Sequence, residues 1–125
     1  MKDVESRLIQ QILAHDSGVL SVEELSFRNT DLTEGHIETH LRSLHDDRIV
    51  TPLPADPEQE GMPDVFWAVT DHGVRWLTDS GLWEEIEVLS EADTALNRSQ
   101  RIRDIETFDG RPEHTYEMLP SGSSM

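Results

Sequence analysis

Apolar residues recur at helical spacing from the start of the chain, where Val4, Leu8, Ile9, Ile12 and Leu13 are separated by one, three or four positions. This series predicts an amphipathic helix, stopped by Gly18 after His15, Asp16 and Ser17. Ser21 followed three residues later by Glu24 is a capping box, opening a short second helix that carries Val22 and Leu25. Arg28 to Leu32 is turn chemistry, because Asn29 and Asp31 compete for the backbone hydrogen bonds a helix needs. Thr33 caps a third helix, predicted to run to Asp46 or Asp47, with Ile37, Leu41 and Leu44 on one stripe.

After Arg48 the period changes. Ile49 to Leu53 reads as a strand, the segment from Pro54 to Pro63 as a polar loop, and Asp64 to Thr70 as a second strand. Thr70 then opens a fourth helix with Val74, Trp76 and Leu77, ending near Gly81. A fifth, acidic in its first turns, carries Leu82, Ile86, Leu89 and Leu96, and a shorter helix from about Ser99 to Thr107 carries Ile102 and Ile105. The expected fold is mainly α with a small β-hairpin: a winged helix-turn-helix domain over 1–81, a helical dimerisation arm over 82–108 and a flexible tail over 109–125.

Charge alters this picture more than size does. The 125 residues hold 26 Asp and Glu against 10 Lys and Arg, a net charge of −16, and Lys2 is the single lysine. Such a surface suits a protein working in molar salt, where the Debye length shrinks to ~3 Å and self-repulsion is screened. An acidic nucleic-acid mimic or a partner of basic proteins is the competing reading. With no cysteine, disulfides, thiolate metal sites and cysteine nucleophiles are excluded. The N-terminus lacks the pattern of a signal peptide and no apolar run approaches the ~20 residues that cross a bilayer, so a cytoplasmic protein is expected.

The segment from Leu20 to Thr70 resembles the winged-helix regulators grouped with the MarR, ArsR and PadR-like families. The matching pieces are Ser21 to Leu25, Thr33 to Leu41, and Phe66 to Gly73, the last similar to the aromatic-x-Leu-Thr-x-x-Gly ending of a wing with Val69 at the leucine position. Leu82 to Ile86, Arg101 to Glu106 and Arg111 to Glu113 are similar to C-terminal arms of small haloarchaeal regulators of this type. The resemblance implies a homodimeric, cytoplasmic transcription regulator that binds double-stranded DNA.

The stripe of the third helix fixes which residues face away from the core. With Ile37, Leu41 and Leu44 inward, Gly35, Thr39, Arg42 and Asp46 lie opposite, flanked by His36 and Ser43. Arg42 suits guanine O6 and N7 or a phosphate, Thr39 and Ser43 a thymine methyl or a phosphate, and Gly35 admits a close backbone. Thr33 opens this helix and joins the expected interface. Arg28 and Asn29 are candidate phosphate contacts, as is Arg48, whose alternative is pairing with Asp46 or Asp47. The wing departs from the usual pattern: its tip carries Asp56, Glu58, Glu60 and Asp64 and no cation. Either it stays off the phosphates or salt cations bridge carboxylate to phosphate.

Leu82, Trp83, Ile86, Leu89 and Leu96 form a stripe too apolar for water and too short for a lone helix, so they are the expected dimer interface. His36 and His40 have i, i+4 metal-ligand spacing, but a structural or solvent-facing role is favoured and no metal is expected. Trp67, Trp76 and Trp83 read as core and seam in preference to an effector pocket. No arrangement for catalysis stands out, and no cofactor is implied. The alternative to DNA binding is a winged-helix protein-interaction module with an acidic surface.

Overall fold

Four local capping signals divide the chain into its helices. The computed structural model describes residues 3–56, 61–81 and 84–116. Helix α1 (Asp3–Ala14) is followed by α2 (Val22–Arg28), whose N-cap Ser21 and Glu24 form the reciprocal capping box. Thr33 caps α3 (Glu34–Asp46) by accepting the His36 N–H, and Thr70 caps α4 (Asp71–Asp79) by accepting that of Gly73. Helices α5 (Glu85–Ala95) and α6 (Gln100–Thr107) complete the set, the latter capped by Ser99.

Strands β1 (Val50–Pro54) and β2 (Val65–Val69) pair antiparallel, with Val50 opposite Val69 and Pro52 opposite Trp67. Leu20 adds one backbone bridge to Trp67, tying the segment before α2 to the wing. Arg48 ends α3 at φ +65°, in the left-handed region, which turns the chain directly from helix to strand. The result is a winged helix-turn-helix: α2 and α3 pack as the two-helix corner, and the hairpin lies beside α3.

One core holds the corner together. Leu8, Ile9 and Ile12 of α1, Leu25 of α2, and Ile37, Leu41 and Leu44 of α3 are all fully buried. These are the predicted helix stripes, and each full burial of such a side chain is worth ~1.5–3 kcal/mol. Trp67 is buried in the same cluster and Trp76 packs against it, in agreement with a core role; Trp83 lies outside the described residues. A second cluster joins Val19, Phe66 and Ala68 of the wing side to Ile102 and Ile105 of α6.

The C-terminal third departs from the expected arm and tail. Helix α5 packs along α1, with Ile86 buried in the main core and Leu89 resting on it. Their apolar surface is thus covered by this chain's own first helix, at hand without a second copy. Leu96 is half-buried beside Phe27 and Ala14, and Leu82 falls outside the described residues. Residues 109–116, the start of the segment expected as a tail, pack against the rest of the chain; 117–125 lie outside the described residues.

The Tyr116 hydroxyl donates to the Gly18 carbonyl at 2.6 Å and accepts the Val69 N–H at 2.9 Å. Burial pushes this phenol above its usual range, a trend the Val69 hydrogen bond opposes without reversing it. Gly18 is at φ +75°, and any Cβ there would run into the His114 carbonyl and the Tyr116 ring. The first turn and the docked C-terminal segment therefore specify each other.

Candidate nucleic-acid interface

Helix α3 presents the residues expected of a reading helix. Gly35, His36, Thr39, Arg42 and Ser43 are exposed, while Ile37, Leu41 and Leu44 hold the opposite face in the core. Thr33 is exposed but its hydroxyl is occupied as the cap. The Thr39 hydroxyl donates to the Gly35 carbonyl at 2.9 Å, so its hydrogen is spent within the helix and its methyl and oxygen lone pairs are what remain to offer. Arg42 is 72% exposed, and its guanidinium reaches Glu38 one turn back at 2.9 Å. A surface pair of this kind contributes only ~0.3–0.5 kcal/mol, so Arg42 is readily recruited by another anion. Arg48 is exposed at the start of the wing.

Two expected contacts are not at the surface. The Arg28 side chain is 4% exposed: its Nε donates to Asp93 at 2.6 Å and its terminal nitrogen lies 3.6 Å from Glu106. Asn29 is buried, its amide nitrogen donating to Gln11 and to the Leu25 carbonyl, each at 2.7 Å. Both residues fasten α2 to α1, α5 and α6 instead of facing phosphate. The reason lies in partners far along the chain, which cover this end of α2 once α5 and α6 fold back.

Arg28 belongs to a larger ionic cluster beneath the corner. Arg98 donates to Glu106 at 2.8 and 2.9 Å and to Asp93 at 2.9 Å, and His15 Nε2 lies 2.9 Å from Glu106. The Ser17 N–H donates to His15 Nδ1 at 3.1 Å, which leaves the proton of a neutral ring on Nε2, directed at Glu106. Arg111 donates to the fully buried Glu24 at 2.9 Å, to the Ile105 and Val19 carbonyls and to Ser17, with its guanidinium 4.7 Å from the centre of the Phe66 ring. Three of the nine arginines are thus internal.

His15, Glu24 and Glu106 bring ligand-type atoms within 4.8 Å of one another. Their carboxylates already face Arg98, Arg28 and Arg111, so a metal cation there would compete with fixed guanidinium charge. His36 and His40 do not converge either: His40 Nδ1 pairs with Glu5 of α1 at 2.9 Å, while His36 faces solvent.

Burial alone would raise the Glu106 carboxyl; hydrogen bonds from His15 and Arg98 outweigh it and hold it below the ordinary carboxylate range. A depressed carboxylate stabilises the fold fully above its unfolded pKa, and that contribution is lost as pH falls through the folded value. Glu106→Gln is therefore expected to be less stable than the parent at neutral pH, with the gap narrowing as pH drops through the carboxylate range. Urea unfolding across a pH series checks this; a pH-independent gap contradicts it.

Arg101 on α6 is outside the set of residues expected at the interface. Its guanidinium holds Glu23 of α2 through contacts at 2.8 and 2.9 Å. Both line a groove of about 400 Å³ between α3 and the wing, together with Glu38, Arg42 and Trp67. The available signal was the helical period of α6, which puts Arg101 just off its apolar stripe of Ile102 and Ile105.

Among solved structures, a protein with a GntR superfamily winged-helix-turn-helix domain from Halomicrobium mukohataei is similar to this chain at 34% identity, over 97% of this chain and 86% of that one, with a TM-score of 0.89. Lactococcus lactis ZitR, in an apo mutant form, shares the fold at 10% identity, over 83% of this chain and 74% of its own, with a TM-score of 0.50. No protein-family profile and no curated protein matches the sequence.

Proposed function

The chain belongs to the GntR-superfamily winged-helix-turn-helix proteins, and from that premise we propose that it is a sequence-specific transcription regulator that lays α3 in the major groove of double-stranded DNA. The observation that carries this reading is the face of α3. Gly35, His36, Thr39, Arg42 and Ser43 stand exposed on a helix whose other side is locked into the core, with a wing beside it. Small and hydrogen-bonding side chains around one arginine suit base edges better than a protein partner, whose contact would call for an apolar centre.

The finer kinship with MarR, ArsR and PadR-like regulators, drawn from Ser21 to Leu25, Thr33 to Leu41 and Phe66 to Gly73, is part of the proposal. The likeness to the Halomicrobium protein supports a winged-helix regulator without deciding among these groups. A cytoplasmic setting is proposed as well, supported by the absence, among the described residues, of any helix long and apolar enough to cross a membrane.

Two copies are proposed to act together, because one short helix reads too little sequence for a specific site and a two-fold site needs two. The exposed Val88 on α5 supplies an apolar point for such a contact, since Ile86 and Leu89 are engaged within the chain. Sedimentation in molar potassium chloride tests the pairing.

The charge balance points to salt cations as part of the complex. With a net charge of −16 and three arginines internal, DNA binding cannot rest on a broad basic surface. Cations taken up between carboxylates and phosphates would offset those released from DNA. Duplex affinity is accordingly expected to stay level or rise as potassium chloride is increased toward molar concentrations. A steep fall, of the kind that counterion release alone produces, contradicts this.

A further inference from the structure

The groove between α3 and the wing contains two arginines, each held by a glutamate. Arg42 is tied to Glu38 within α3, whereas Arg101 reaches from α6 to Glu23 at the start of α2. A helix lying in the major groove brings a sugar-phosphate strand past its flank, and a wing beside it confines that strand to the space between them. The groove of about 400 Å³ lies between the same two elements.

Arg101 is 44% exposed and Glu23 33%, so the pair is wet. An exposed pair contributes only ~0–1 kcal/mol to folding. Helix α6 does not depend on it, because Ile102 and Ile105 are buried and Arg98 anchors the helix entry to Glu106 and Asp93. A guanidinium gripped through Nε and one terminal nitrogen by a carboxylate has the fork geometry that a phosphodiester also satisfies. Glu23, left beside a phosphate, would repel it.

We infer that Arg101 is a contact to the DNA backbone, supplied from outside the helix-turn-helix, and that Glu23 is its built-in competitor. In the free protein Glu23 occupies the guanidinium. In the complex a phosphate of the strand between α3 and the wing takes its place. This rests on α3 being the DNA-reading helix.

The two residues are therefore opposed in binding although they are partners in the fold. Anisotropy titrations of the full chain with labelled random-sequence duplexes about 30 base pairs long, roughly three turns, at one fixed potassium chloride concentration, separate these roles. Arg101→Ala is expected to weaken binding about tenfold, the scale of one charge-assisted hydrogen bond. Arg101→Lys is expected to retain most of the affinity, and Glu23→Gln to tighten binding several-fold. The double variant is expected to bind between Arg101→Ala and the parent, since it loses the contact but also the Glu23 charge that repels the phosphate.

If Glu23→Gln and Arg101→Ala shift affinity in the same direction, the pair is only a structural tie and the inference fails. Unchanged binding in Arg101→Ala overturns it while leaving the α3 reading standing, provided Arg42→Ala still weakens binding. Absence of duplex binding by the parent protein overturns both. Should Arg101→Ala not fold, Glu23→Gln and Arg101→Lys decide the matter: tightening in the first with near-parent affinity in the second supports the inference, and weakening in both overturns it.

Discussion

Replacing Arg111 by alanine is expected to destabilise the fold by ~3–5 kcal/mol, the cost of breaking a buried ion pair from one side. The Arg111 side chain is 5% exposed and that of its partner Glu24 is fully buried. Without Arg111, the Glu24 carboxylate keeps, among the described residues, the Ser21 N–H and hydroxyl, and the Ile105 and Val19 carbonyls each lose a charged donor. The Phe66 ring also loses the guanidinium lying near its face. Against a net stability of ~5–15 kcal/mol this is a large share.

By contrast, the Arg7–Asp31 pair at 3.1 Å is open to solvent and screened by it, so Arg7→Ala is the natural control. Urea unfolding in molar potassium chloride measures both. A loss below ~1 kcal/mol for Arg111→Ala, as at a frayed end, contradicts the docking of residues 109–116. Converting both partners, Glu24→Gln with Arg111→Met, is expected to recover part of the loss, since the uncompensated charge disappears with its partner.

The second large effect concerns binding and leaves the fold alone. Arg42→Ala removes a 72% exposed side chain whose only described ion pair is the surface contact with Glu38, so its unfolding midpoint is expected to stay within the scatter of the parent. Its affinity for the preferred duplex is expected to fall by ~1–3 kcal/mol, roughly fivefold to over a hundredfold. The pattern of loss tells what Arg42 touches. A loss confined to sequences with a guanine at one position marks base reading, and an equal loss on all sequences marks a phosphate. An unchanged affinity with an intact fold favours the protein-interaction alternative.

How much of this was legible in the sequence depended on whether the determinants were local. Ser21 with Glu24, Thr33, Thr70 and Ser99 each act within one turn of backbone, and the helices begin where those residues say. The inward stripe of α3 was equally plain, because Ile37, Leu41 and Leu44 repeat at the helical period, and the outward face followed from it.

Arg28 and Asn29 were misplaced because their partners are remote. Asp93 stands 65 residues from Arg28, and Gln11 lies 18 from Asn29. In a chain with 26 carboxylates every arginine has many possible partners, so composition cannot say which one it finds. Glu24 shows both limits at once. Its capping role was readable from Ser21, while its bond to Arg111 spans 87 residues and was not. The apolar stripe of α5 was visible as well, but not the surface it covers, since α1 and a second copy would satisfy Ile86 equally.

The central claim is that α3 reads DNA sequence. Selection of bound duplexes from a random pool, carried out with the full chain in molar potassium chloride, tests it most directly. The account predicts enrichment of one motif, present as two related half-sites about one helical turn apart, and its loss in Arg42→Ala. Recovery of a pool no different from the starting one, by a folded protein, would contradict it.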